Sequence, residues 1–269
     1  MDKLIQDYYE HCFEKAVFDE NDQFDKEKNK LLSLLFVENK YLYKFFSFDN
    51  NKVLNKKKLK TLQKEQIWCS PYYDFFDKTE FDIQFNIQEY KRKVSSDINI
   101  LGFIEYIKRI SNLASFTYEN TNYMWNEYSN KGNGFCIKYE VVDSNMFFPV
   151  LYDKKNSYDF TEDLIISFEV MEKAKSYKDI QLLNNLHFKR LSILPFVLKD
   201  AETYHKEKEI RLLDKVDYIN IDNNYHGKPL SLNEAGLKVS KVILDFDNCL
   251  YREEILKIAK ENSYVVEFR

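Results

Sequence analysis

The sequence predicts an α+β fold: a central mixed or antiparallel sheet with N-terminal helices and a helical insertion ahead of the last strands. Three observations predict it. Hydrophobic residues make up 44% of the 269, with 20 Tyr and 22 Phe, enough apolar surface to bury a sizeable core. Short aromatic runs bounded by polar residues alternate with stretches of helical periodicity. Gly and Pro number only 5 and 4, too few for the turns of an all-β fold built from hairpins. No repeat or Gly/Ser linker divides the chain, so residues 1–269 read as one domain, with 1–38 a helical extension and 39–269 the core.

In chain order, Leu4, Ile5, Tyr8, Tyr9, Cys12 and Phe13 recur at helical spacing between Asp2 and Lys15, and a second periodic stretch covers Phe24 to Phe36. Tyr41 to Phe46 is an aromatic strand. Lys56, Lys57, Lys58, Lys60 and Lys64 crowd the segment from Lys52 to Lys64, read as a helix with a solvated face. Gln66 to Pro71 is a strand stopped by proline, whose nitrogen has no hydrogen for a ladder. A helix is expected from Asp97 to Arg109, a strand within Ile110 to Thr117 and a short helix from Tyr123 to Ser129. The Gly132-Asn133-Gly134 turn leads into Phe135 to Glu140, whose alternation puts Phe135, Ile137 and Tyr139 on one buried face. Helical spacing returns over Asp163 to Tyr177 and Lys178 to Leu194, ended or kinked by Pro195. Glu207 to Leu213, Val216 to Ile221 and Ser240 to Phe246 read as strands, followed by a helix at Tyr251 to Glu261 and a last strand at Tyr264 to Phe268.

The 40 Lys and Arg nearly balance 44 Asp and Glu, and a net charge of -4 provides no global positive field for nucleic acid; only a local basic stripe remains open. Cys12, Cys69, Cys136 and Cys249 form no C-x-x-C pair and suit free thiols in a reducing cytoplasm. The opening Met1-Asp2-Lys3-Leu4 lacks a signal-peptide core, and no run of about 18 apolar residues is present, so no membrane association is expected. The four histidines show no ligand spacing, and no metal site is expected. Asp77 and Glu80 read as ordinary surface acids, and Ser115 lacks the G-x-S-x-G of a hydrolase.

Several segments carry chemistry. Glu207 and Glu209 are two apart, so on a strand both carboxylates share a face with Arg211, while Lys208 and Ile210 point away. Trp125 and Tyr128 are three apart on a helix, where aromatic faces can stack a planar ring or pack the core. Ser115 and Thr117 project from one strand face, able to meet a phosphate or ribose or to satisfy nearby backbone.

Four segments together resemble the bacterial family called domain of unknown function 2971. Tyr41 to Phe45 is similar to its tyrosine-rich opening strand. Ile67 to Pro71 followed by Phe75, Asp77 and Glu80 is similar to a strand and an F-N-D-P-x-E loop, with Phe76 and Lys78 replacing the Asn and Pro. Ser115-Phe116-Thr117, Met124 to Tyr128 and Gly134 to Ile137 resemble its S-F-S, M-W-x-x-Y and G-F-C-I pattern, and Tyr204 with Glu207 to Arg211 its aromatic and E-K-E-x-R. The order of Tyr43, then Ser115 and Thr117, then Glu207 and Glu209 also resembles the layout of ADP-ribosyltransferase-like proteins. That resemblance implies an NAD- or nucleotide-using transferase or NAD glycohydrolase, serving as a toxin or antiviral (phage) defence effector. NAD is then a substrate. Glu209, Glu207 and Tyr128 become the catalytic candidates, with Tyr43, Ser115, Thr117, Trp125 and Arg211 binding the nucleotide. A non-enzymatic module for a nucleotide, peptide or protein stands beside it. A nuclease is disfavoured by the lack of an acidic metal set.

Overall fold

The computed structural model describes residues 2–15, 23–36, 40–75, 78–94, 100–153, 158–173, 186–215 and 225–269. Helices α1 (Asp2–Lys15) and α2 (Gln23–Leu35) precede β1 (Tyr41–Phe46), α3 (Lys52–Gln63) and β2 (Gln66–Pro71). Helices α4 (Ile87–Lys93) and α5 (Ile100–Arg109) lead into β3 (Ser111–Thr117), α6 (Asn122–Tyr128) and β4 (Phe135–Val141). The middle of the chain forms β5 (Phe147–Pro149), β6 (Leu151–Asp153), α7 (Thr161–Lys173), α8 (Leu186–Val197), β7 (Leu198–Asp200) and α9 (Ala201–Tyr204). It closes with β8 (Glu209–Lys215), β9 (Lys228–Ser231), β10 (Leu237–Leu244), α10 (Arg252–Glu261) and β11 (Val265–Phe268).

Among the described residues, one sheet runs β11-β10-β4-β1-β3-β2-β9, with β8 on β3 and β5 on β8. It is mixed: β10 and β11 are parallel, and the remaining pairs are antiparallel. Strand β3 is its branch point. It pairs with β8 along its whole length, from Ser111↔Lys215 to Thr117↔Glu209. Its other edge is shared, β2 taking Asn112 and Leu113 while β1 reaches only Thr117 through Tyr43. Between those two contacts, the Ser115 carbonyl accepts from Lys44 Nζ at 2.9 Å, which satisfies a backbone group that no third strand covers.

Helices α3 and α10 cover one part of the sheet, burying Leu59, Leu62, Ile255 and Ile258 with Leu42, Ile137, Leu212 and Val242. A larger helical layer buries Ile5, Tyr9, Phe103, Leu164, Phe168 and Leu191 with Leu113 and Leu213 of β3 and β8. A third, small cluster joins Trp125 of α6 to Cys136 and Ile243, with Phe45 meeting the indole edge-on at 5.3 Å. The N-terminal helices are tied into this core, where the buried Tyr9 hydroxyl donates to the Pro149 carbonyl at 2.6 Å. No helix among the described residues is long and apolar enough to cross a membrane.

Several elements differ from expectation for physical reasons. On β4, Cys136 is buried as well as Phe135, Ile137 and Tyr139, because helices pack on both faces there; alternation survives only toward Lys138 and Glu140. Pro195 lies inside α8, which continues to Val197. In the last turn a proline removes one backbone bond without stopping the helix. Strand β10 begins at Leu237, ahead of the expected Ser240. Strands β5, β6, β7 and β9 span three or four residues, too few for a period-two pattern to register. Val216 to Ile221 and residues 178–185 lie outside the described residues.

Candidate functional site

A cavity of about 460 Å³ opens over the ends of β3 and β8. The register sets its floor. Ser115 faces Arg211 and Thr117 faces Glu209 across the two strands, and Thr117 also pairs with Tyr43, so period-two alternation gathers these side chains on one face. Tyr43, Phe45, Phe75, Tyr128 and Tyr204 supply aromatic wall.

Thr121 caps α6 by accepting from Met124 N at 3.3 Å. Trp125 and Tyr128 then part company. Trp125 is turned to the sheet, 2% exposed, its indole N–H donating to Asn120 Oδ1 at 2.7 Å, and it does not line the cavity. Tyr128 stands at the rim, 38% exposed, and its hydroxyl donates to Glu207.

Glu207 reaches the cavity by a route that differs from the expected strand face. It ends a 3-10 turn from His205, and Lys208 follows in the left-handed region at φ 47°. Strand β8 begins only at Glu209. The reversal at Lys208 brings Glu207 back beside Glu209, where a continuous strand would have done so by alternation. Strands β6 and β7 pair in parallel with Tyr152 opposite Lys199, which sets Lys199 over both glutamates. Tyr152 accepts from the Glu209 backbone N–H at 2.8 Å.

The result is a buried ion cluster. Arg211 Nε donates to Glu209 Oε1 at 2.8 Å, its Nη2 to Oε2 at 3.1 Å and to Glu80, and its Nη1 to the Phe196 carbonyl at 2.7 Å. Lys199 Nζ donates to Glu209 Oε2 at 2.9 Å and to Glu207, and lies 3.6 Å from Glu80. Ser115, opposite Arg211 in the strand register, lines the same cavity and helps to hold the Glu209 carboxyl down. These five charged side chains are between 1% and 9% exposed. Glu80, read as a surface acid, is therefore part of the cluster; Asp77 lies outside the described residues.

Glu207 and Glu209 are not equivalent. Burial pushes Glu209 up, but Arg211 and Lys199 outweigh it and hold the carboxyl well below its ordinary range. For Glu207 burial prevails over Lys199, with Glu209 adding repulsion, and its pKa is raised. Burial also opposes charge on Lys199, yet Glu209, Glu80 and Glu207 overcome it and raise its pKa. Lys44, inside the sheet, is lowered to about 8 by burial. The carboxylates of this cluster face Arg211 and Lys199, and no group of three or more His, Cys, Asp or Glu among the described residues is placed to hold a metal ion. The Cys69 and Cys136 thiols are buried, with Cys69 pushed up to about 12 mainly by burial; the Cys12 side chain lies outside the described residues.

Sequence reasoning brought Tyr43, Ser115, Thr117, Tyr128, Glu207, Glu209 and Arg211 to one cavity and missed Lys199, Lys44 and Tyr152. No local pattern marks a lone lysine in a three-residue strand. For Glu80 a signal existed, its place in the loop after Pro71.

The arrangement defines a class: an α+β domain whose sheet carries a small-molecule-sized cavity, aromatic on one side and floored by buried carboxylates and their cations. Residues 124–212 match the model of a family described as Protein of unknown function (DUF2971). The match includes Met124, Tyr128, Lys199, Tyr204, Glu207, Glu209 and Arg211, while Tyr43, Glu80, Ser115 and Thr117 precede it. No curated protein and no solved structure matches the chain.

Proposed function

We propose that the cavity binds a nucleotide and breaks the bond between its ribose and its base, with NAD the leading substrate. The observation that carries this reading is the unequal treatment of two adjacent glutamates beneath an aromatic-walled cavity. Carboxylates whose surroundings push their pKa values apart are suited to different tasks. Glu209 takes two bonds from Arg211 and one from Lys199, which occupies most of its acceptor capacity. Its part is to hold the cations and contribute negative field. Glu207, held by Tyr128 and Lys199, keeps acceptor positions for a substrate.

In this reaction the ribose C–N bond breaks and its electron pair leaves with the nicotinamide nitrogen, which loses its positive charge and needs no proton. The ribosyl cation is stabilised by the carboxylates below it. A hydroxyl of water or of an acceptor then attacks, and Glu207 takes its proton. Tyr43 and Tyr128 flank the leaving ring. A protein consuming NAD in this way would act as a toxin or phage defence effector, a role that stands or falls with the activity.

The second reading is a non-enzymatic binding module for a nucleotide, peptide or protein, favoured by the extensive pairing of Glu209 and Arg211. Incubation of the parent and Glu207→Gln with NAD, and separately with other nucleotides, distinguishes the two by free nicotinamide, released base and modified macromolecule. Turnover by the parent should fall at least about 100-fold in the variant. No consumption by the parent, or equal consumption by both, would leave the binding module.

A further inference from the structure

A second cavity, of about 600 Å³, lies between α3 and β2. Lys57, Lys60 and Lys64 border it from the helix and its C-cap, Trp68 and Pro229 from paired positions on β2 and β9. None of its lining residues is acidic, in a chain whose net charge is -4. Among the described residues, none of these three lysines has a carboxylate within ion-pair distance, whereas the neighbouring Lys58 is turned inward to the Ser47 carbonyl. Like charges three and four residues apart on one helix repel, a cost opposed at Lys60 and Lys64 by the negative end of the α3 dipole.

Trp68 supplies the other half. It is 43% exposed, and its indole N–H donates to the His226 carbonyl at 3.2 Å, which fixes the ring while leaving it open to solvent. A pinned, exposed indole among unpaired ammonium groups combines a stacking platform with a backbone-tracking charge.

We propose that this groove binds single-stranded nucleic acid, with a base stacked on Trp68 and consecutive phosphates met by Lys57, Lys60 and Lys64. The lysines rise about 4.5 and 6 Å along the helix axis, a spacing that suits successive phosphates of an extended strand. A duplex presents its bases already stacked and cannot offer one to Trp68. An acidic peptide satisfies the lysines but has no regular planar group for the indole. The two cavities share Lys44, but Lys57, Lys60, Lys64 and Trp68, on which the proposal rests, do not line the acidic one.

Fluorescence anisotropy with labelled oligothymidylate and oligouridylate of about 12 nucleotides, within the usual range of single-strand sites, tests it across a salt series. Replacing Lys57, Lys60 and Lys64 together by Gln should weaken binding and flatten the slope of log K against log salt by about 2, at roughly 0.7 per phosphate contact. Trp68→Ala should weaken binding about 10-fold with the salt slope unchanged, and Trp68→Phe should restore much of it. The Phe variant also keeps the test open if the Ala variant does not fold. Absence of binding at low salt would overturn the proposal, as would binding that neither substitution alters. So would equal binding of a duplex, of polyphosphate or of polyglutamate of matched charge, since each lacks an available base.

Discussion

Lys44 shows how one residue records the tension in this sheet. Its ammonium fills the space between β1 and β2, donating to the Ser115 carbonyl and lying 4.9 Å over the Phe116 ring. Burial, opposed by Cys69 and Glu209, lowers its pKa from 10.5 to about 8. Between those values the unfolded chain holds a proton that the folded chain has released, so this residue makes stability rise with pH across that window; below about pH 8 the penalty is present in full. Lys44→Met removes the penalty together with the hydrogen bond. Urea denaturation should therefore find the variant's stability, relative to the parent, greatest near neutral pH and lower by up to about 3 kcal/mol near pH 10.5, the Lys44 side chain being partly open to two cavities. A difference that does not change with pH would mean that the ammonium is not buried. Neither Lys44 nor Lys199 was legible in the sequence, because each acquires its role through a long-range register that no neighbouring residue announces. Ser115, Thr117, Glu209 and Arg211 were legible, since alternation along two paired strands is a local property. Trp125 and Tyr128 mark the limit of such reasoning. Residues three apart on a helix are offset by about 60° around its axis, which here is enough to send one to the sheet and the other to the rim.

At the scale of elements, most segments declared themselves, the four-residue β11 included, while β5, β6, β7 and β9 did not. Strands β1 and β4 and helix α10 were readable from their apolar pattern, α3 from its solvated lysine face and β2 from the proline that stops it. The turn that carries Glu207 was not, since a left-handed Lys208 has no signature when glycine is absent. Strand β4 is the element on which the sheet's interior rests: it pairs with β1 on one side and β10 on the other, and Ile137 is 1% exposed. Ile137→Ala leaves a void in that layer and should cost about 2–5 kcal/mol by chemical denaturation. An unchanged midpoint and slope would show that this position is not core.

The whole molecule places its unusual chemistry where packing is interrupted. Helices α5, α7 and α8 bury the far halves of β3 and β8, while α6 covers β1 and β4, and the acidic cavity lies between these two apolar regions. Desolvating a cluster of carboxylates and cations seldom stabilises a fold relative to an apolar replacement. On the proposed reading, the cluster is there for a ligand rather than for stability. The overall class, a sheet with helices about it, followed from composition and periodicity; the branching of the sheet at β3, which creates the cavity, did not, because two strands sharing one edge is a property of tertiary pairing alone. The most direct test is a crystal structure of Glu207→Gln soaked with NAD. The nicotinamide should lie between Tyr43 and Tyr128, with the ribose carbon that bears it within van der Waals reach of residue 207. NAD bound away from this cavity, or an empty cavity at saturating NAD, would contradict this reading.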